Sequence, residues 1–299
     1  MHIKLIDVPL YYGCDNPGTH LAPMTFSKNQ IASLIEERGH HLDRLSIVPT
    51  PQNPTDKDAE PTMKYLNEVT YTCRQLADCV HSGRHNGQFP LVIGGDHALG
   101  LGSIAGLARS IPADQLSVIW IDAHGDWNSE ESTCTGNMHG MPFSAVCGYG
   151  PDCMVEFGQG AAPVNVAHCV QVGGRDIDDL ERQRMAQAGV TVFPINMIDK
   201  LGMGAVIERA IQIAGEGTDG IHLSFDVDAI TPEAVPGTGV IVYNGLTPRE
   251  AFLAAEAIAE SRKLISMDMV EVNPFLDTAN KSGILASELI QSALGKSVY

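Results

Sequence analysis

Short apolar runs alternate with helix-patterned segments along the whole 299-residue chain, and this alternation constrains the fold more than any other feature. Runs rich in Val, Ile and Leu read as strands at 3–6, 91–93, 116–121, 169–172, 191–193, 221–225 and 264–270. Several are continuous rather than alternating in polarity, as parallel strands buried on both faces are. Helical patterns fall between them at 27–38, 63–82, 103–110, 179–188, 203–214, 248–261 and 282–294. Thr247-Pro248, with Glu250 three residues after the threonine, reads as a capping-box start with Pro at the first helical position. The expectation is an α/β protein: a three-layer αβα single domain over residues 1–299, with a mostly parallel sheet covered by helices on both faces. Residues 52–61 are polar and Pro-bounded, so they read as a surface loop, too short for a domain linker.

Composition narrows the partners. Apolar residues make up 44% of the chain, enough for a sizeable core. A net charge of −17 argues against nucleic acid or an anionic membrane surface, and suits a cationic small substrate. Met1–Asp7 lacks the basic start of a signal peptide, and no apolar run approaches bilayer length, so a cytoplasmic protein is expected. The seven cysteines are scattered without a C-x-x-C pair and read as reduced, mostly buried thiols.

Three clusters carry chemistry, each directly after an apolar run: Gly94-Gly95-Asp96-His97, Asp122-Ala123-His124-Gly125-Asp126 and Asp226-Val227-Asp228. Residues two apart on extended chain share a side, so Asp122, His124 and Asp126 can converge, as can Asp226 and Asp228. Open parallel sheets place their sites outside the carboxyl ends of strands, where all three clusters fall. Carboxylates and imidazoles without thiolate suit Mn²⁺ better than a structural zinc, with Fe, Co and Zn left open by ligand type. Two divalent ions would neutralise a carboxylate cluster that is otherwise costly to pack.

With these motifs the sequence resembles the ureohydrolases: arginase, agmatinase, formimidoylglutamase and relatives. Gly-Gly-Asp-His, Asp-Ala-His-x-Asp and Ser-Phe-Asp-Val-Asp are that family's metal motifs, and the strong resemblance runs from Leu91 to Pro274. The resemblance implies the family's three-layer α/β fold and two Mn²⁺ per subunit. One ion would be held by His97, Asp122, Asp126 and Asp226, the other by Asp122, His124, Asp226 and Asp228. It also implies a hydroxide bridging the metals, hydrogen-bonded to Asp126, that attacks a guanidinium carbon. Glu271, in Glu271-Val272-Asn273-Pro274, would pair with the guanidinium, and His139 would shuttle a proton or contact substrate.

Within the family, the loop from Asp126 to Pro142 resembles that of arginases. Asn128, Thr133 and Thr135 fall where the α-carboxylate of arginine is recognised, Thr135 standing for the more usual serine. Asp178 and Glu181, after Gly173-Gly174-Arg175-Asp176, match the positions for the α-amino group. Agmatine has neither handle, so the resemblance implies cleavage of L-arginine to L-ornithine and urea. N-hydroxyarginine would use the same handles, and another guanidino acid is a further alternative. A zinc deacetylase would account for Asp-x-His-x-Asp with one ion but leave His97 and the remaining aspartates unexplained. The family usually forms homo-oligomers, trimers or hexamers.

Overall fold

A strand buried on both faces favours apolar residues and admits polar ones only where they find partners, and four strands of this chain are buried end to end. The computed structural model describes residues 1–46, 54, 60–155 and 163–296. The strands are β1 (His2–Asp7), β2 (His41–Ser46), β3 (Phe89–Ile93), β4 (Leu116–Ile121), β5 (Cys169–Val172), β6 (Thr191–Phe193), β7 (Gly220–Asp226) and β8 (Leu264–Val270). β3, β4, β5 and β7 are wholly buried. Among the described residues all strand pairings are parallel, in one eight-stranded sheet of order β2-β1-β3-β8-β7-β4-β5-β6. The sheet is thus fully parallel where the sequence predicts a mostly parallel one.

The helices are α1 (Ala22–Lys28), α2 (Ile31–Glu36), α3 (Leu66–His85), α4 (Gly100–Ala108), α5 (Pro142–Val146), α6 (Asp152–Val155), α7 (Asp179–Ala188), α8 (Ile195–Leu201), α9 (Met203–Gly215), α10 (Pro248–Glu260) and α11 (Lys281–Ala293). They make two outer layers, each with its own core. Leu91, Ile121, Leu223 and Met267 face α1, α2, α9, α10 and α11. Val92, Val118, Trp120 and Val270 face α3, α4, α5 and α7. The period-two alternation of strand side chains divides each strand between these layers.

The central four strands end level. Ile93 pairs with Met269, Met269 with Phe225, and Phe225 with Ile121. The three metal motifs and Glu271 all follow from this one row, so register brings them together before any loop contributes.

Three expected helices differ, and the one expected over 103–110 runs from Gly100 to Ala108. The helix predicted over 27–38 is broken at Gln30, which adopts φ 58° between α1 and α2. The start predicted at Met63 moves to Leu66, because Tyr65 takes φ 54° just before the helix. β2 was not anticipated, since His-Leu-Asp-Arg-Leu-Ser lacks a strand's apolar pattern; it lies at the sheet edge, where polar residues guard against unwanted pairing. The loop predicted over 52–61 lies outside the described residues at 52–53 and 55–59. Among the described residues no helix is long and apolar enough to cross a membrane.

Candidate metal centre

After β3, Gly94 and Gly95 take φ values of 89° and 83°, a region that L side chains rarely adopt. The turn leads to Asp96, which accepts from Ala98 N, and to the buried His97. The His97 ring stacks nearly parallel on Trp120 at 4.0 Å, and its Nε2 is hydrogen-bonded to Ser224 Oγ at 2.8 Å. Nδ1 is thereby turned toward the carboxylates of β4 and β7. Trp120 also donates from Nε1 to Asp122 Oδ2 at 2.9 Å, so one indole steadies two of the clustered residues.

His97 Nδ1 lies 2.9 Å from Asp122 Oδ2, 3.1 Å from Asp126 Oδ2 and 3.1 Å from Asp226 Oδ2. A second group forms beside it: His124 Nδ1 lies 3.3 Å from Asp122 Oδ1 and 3.1 Å from Asp228 Oδ2. Asp122 therefore offers one oxygen to each group. Despite the short distances, the buried His97 Nδ1 and Asp126 Oδ2 make no hydrogen bond with acceptable geometry. Buried polar atoms that converge without bonding one another call for an ion or a water. The donor set of carboxylates and imidazoles, with no thiolate among them, fits a hard or borderline divalent cation.

The electrostatics point the same way. Burial, then the charge of Asp122, raises the Asp126 carboxyl to about 7. Burial, then Asp228 and Asp122, holds Asp226 well above the usual range. Burial would lower both imidazoles, yet facing carboxylates outweigh it and raise His97 and His124 well above their ordinary value. Protons thus balance the charge that a divalent cation would otherwise neutralise.

Two residues here hold left-handed backbone without being glycine: Asp126 at φ 47° and Glu271 at φ 61°. Each such residue costs on the order of 1–3 kcal/mol and persists only where its surroundings fix it. At Asp126 the fixing bonds are Ser144 N to Asp126 O and Trp127 N to Glu181 Oε1 at 2.7 Å. At Glu271 the backbone N donates to Gly95 O, and Oε1 accepts from His97 N at 2.9 Å. Glu271 Oε1 also lies 2.9 Å from His139 Nδ1. Burial alone would lower the His139 pKa; the Glu271 hydrogen bond and charge outweigh it and raise it to about 9.

The sequence profile of the arginase family matches residues 1–295. The chain belongs to the arginase family. It is 37% identical to an arginase of Brevibacillus brevis over 296 residues, 98% of each chain. It is 35% identical to an arginase of Bacillus subtilis over 294 residues, again 98% of each. Its fold superimposes on the crystal structure of the Bacillus caldovelox arginase with a TM-score of 0.95 at 34% identity, covering 100% of this chain and 99% of that one. This chain is accordingly an enzyme of the arginase family, whose members are metal-dependent hydrolases.

A cavity of about 220 Å³ opens onto both histidine groups of this arginase-family chain. Asn128, Thr135 and His139 line it from the loop after β4, and Asp178 and Glu181 from the start of α7. Thr133 does not line it; its hydroxyl oxygen accepts from Gly136 N at 2.9 Å and shapes the loop. Glu181 is buried and doubly engaged, accepting from Trp127 N and from Asp178 N at the helix start. Burial above all raises its carboxyl to about 8. Asn137 and Asp176 also line the cavity, and no motif in the sequence marks them for it. Arg175 was passed over as well; its guanidinium donates to the carbonyls of Asp228, Ala229, Val242 and Tyr243 and fastens the Asp228 segment. The run of glycines before Arg175 was the available signal.

Proposed function

We propose that this chain hydrolyses the guanidinium group of L-arginine, giving L-ornithine and urea, with two Mn²⁺ held by His97, Asp122, His124, Asp126, Asp226 and Asp228. The observation that carries this reading is the cavity itself. It joins the two histidine groups to a set of polar handles, Asn128, Thr135, Asp178 and Glu181, suited to a free amino acid's carboxylate and ammonium groups. Two divalent ions held by these residues would supply the acidity that makes hydroxide available near neutral pH.

The remaining work falls to side chains of this chain. Asp122, with an oxygen toward each group, spaces the two ligand sets. Asp126, a cavity-lining carboxylate on left-handed backbone, would accept a hydrogen bond from the nucleophile. Glu271 Oε2 is buried and without a hydrogen-bond partner, leaving an acceptor for a guanidinium N–H. Such a charge-assisted bond orients a planar group for attack. His139 is held against Glu271 and carries a proton that it can deliver to the leaving amine.

The test is urea release by Mn²⁺-loaded protein from L-arginine and agmatine side by side. A site built to bind polar handles rejects an analogue lacking them, so kcat/KM should favour arginine by at least about 10²-fold. Equal or better turnover of agmatine would overturn the roles given to Asn128, Thr135 and Asp178.

A further inference from the structure

One buried thiol near the centre has no part in the chemistry above. Cys14 sits on the loop after β1 and is 8% exposed. Its Sγ, one nitrogen of His139 and one carboxylate oxygen of Glu271 all lie within 4.8 Å of one another. The Glu271 carboxylate brings Oε2, which is buried and unpartnered.

The loop that carries Cys14 is built into place. Gly13 N donates to Asp96 Oδ2 at 2.8 Å, and Gly13 O accepts from His139 N at 3.0 Å. A Cβ on Gly13 would lie 2.3 Å from Asp96 Oδ1, so this approach needs glycine. Next along, Asn16 Nδ2 donates to Gly239 O, and Lys64 Nζ joins Asp15 to Asn137. Three separate segments, following β1, β4 and β8, therefore bring sulfur, nitrogen and oxygen to one point.

We propose that Cys14, His139 and Glu271 form a second, inhibitory site for a soft or borderline divalent ion of the zinc and cadmium class. Donor atoms around a tetrahedral ion of this class, at bond lengths of ~2.0–2.3 Å, stand roughly 3.5 Å apart, within reach of small rotamer changes here. Thiolate selects such ions over Mn²⁺, whereas the carboxylate-rich centre suits the harder ion, so softness sorts the two sites. On binding, the thiol proton and one proton of the His139 imidazolium pass to solvent as the sulfur–metal and nitrogen–metal bonds form. The fourth position is left to water. A filled site would take both Glu271 and His139 out of use. That inhibitory consequence rests on the roles proposed above for the two residues; the coordination does not.

The test adds Cd²⁺ to the Mn²⁺-loaded full chain carrying Cys134→Ser and Cys153→Ser, which removes the two exposed thiols. The expected result is an ultraviolet thiolate-to-cadmium charge-transfer band, loss of activity and unchanged manganese content. Cys14→Ser, which keeps a donor for the Asn16 carbonyl, should abolish the band. The Cd²⁺ concentration for half-inhibition should then rise at least tenfold, about the least that removing even a supporting residue costs in metal affinity. His139→Asn should keep the band but weaken Cd²⁺ binding by a similar factor. No band, a band that survives Cys14→Ser, or manganese release matching cadmium uptake would each overturn the proposal. Protein that shows the band but makes no urea would sink the proposed function and leave this site standing; urea without the band would do the reverse.

Discussion

The two histidine groups share Asp122 yet differ in how they are held. The His97 side chain is 1% exposed, stacked on Trp120 and bonded to Ser224 at its far nitrogen. The His124 side chain is 22% exposed and lines the cavity, with no comparable ring stack or far-nitrogen bond among the described residues. One group is fixed by the sheet and its covering layer, the other by a turn open to the cavity. The difference teaches that a pair of ligand sets joined by one carboxylate can be rigid on one side and adaptable on the other. Ion exchange should therefore be unequal between them.

The largest expected effect comes from removing what the groups have in common. Asp122→Asn should deplete metal from both and lower activity by roughly a hundredfold or more, the upper end of what a supporting residue alone costs in affinity. Metal analysis after gel filtration checks it; a variant that keeps one ion at full occupancy would show the groups to be independent.

Chelation probes the inequality directly. Manganese should leave in two phases, the faster from the His124 side. Ser224→Ala, which frees only the His97 ring, should speed the slower phase by about tenfold and bring the two together. A single phase in the unaltered protein would break the comparison. Full depletion should also lower thermal stability, since an ion at a hundred times its Kd adds about 2.7 kcal/mol to the folded state.

The smallest effect concerns Glu181, which braces the turn holding Asp126. Burial raises its carboxyl from 4.5 to about 8, so the folded chain binds this proton more tightly than the unfolded chain. Its contribution to stability is fully present below about 4.5 and is lost as pH rises toward 8. Glu181→Gln should flatten that decline, measured as denaturation midpoints across the window; an unchanged slope would mean that the carboxyl is not desolvated as described.

These contrasts follow how the sequence could be read. Asp122, His124 and Asp126 stood out because they follow an apolar run at two-residue spacing, and strand geometry alone makes such residues converge. Trp120 and Ser224 did not, although Ser224 sits inside a recognised motif and Trp120 in the strand just before one. Their task depends on which strands become neighbours, and β7 lies beside β4 only through a crossover that no local pattern reveals. The loop after β4 divides similarly. Asn128 and Thr135 reach the cavity, while Thr133, equally polar and two residues from Thr135, turns its hydroxyl to the loop's own backbone. β2 and the break at Gln30 escaped because an edge strand carries no apolar signature and a left-handed glutamine carries no turn signature.

The level row of Ile93, Met269, Phe225 and Ile121 has a practical consequence for anyone altering this enzyme. It acts as a datum plane from which every reactive group is measured. Adding or deleting one residue in β3, β4, β7 or β8 would turn a whole strand over and carry its ligands to the opposite layer. Residues 129–135, beyond the plane, carry no such restriction, since they hold none of these groups. Exchanges confined to that stretch leave the sheet and the groups at its edge unaltered.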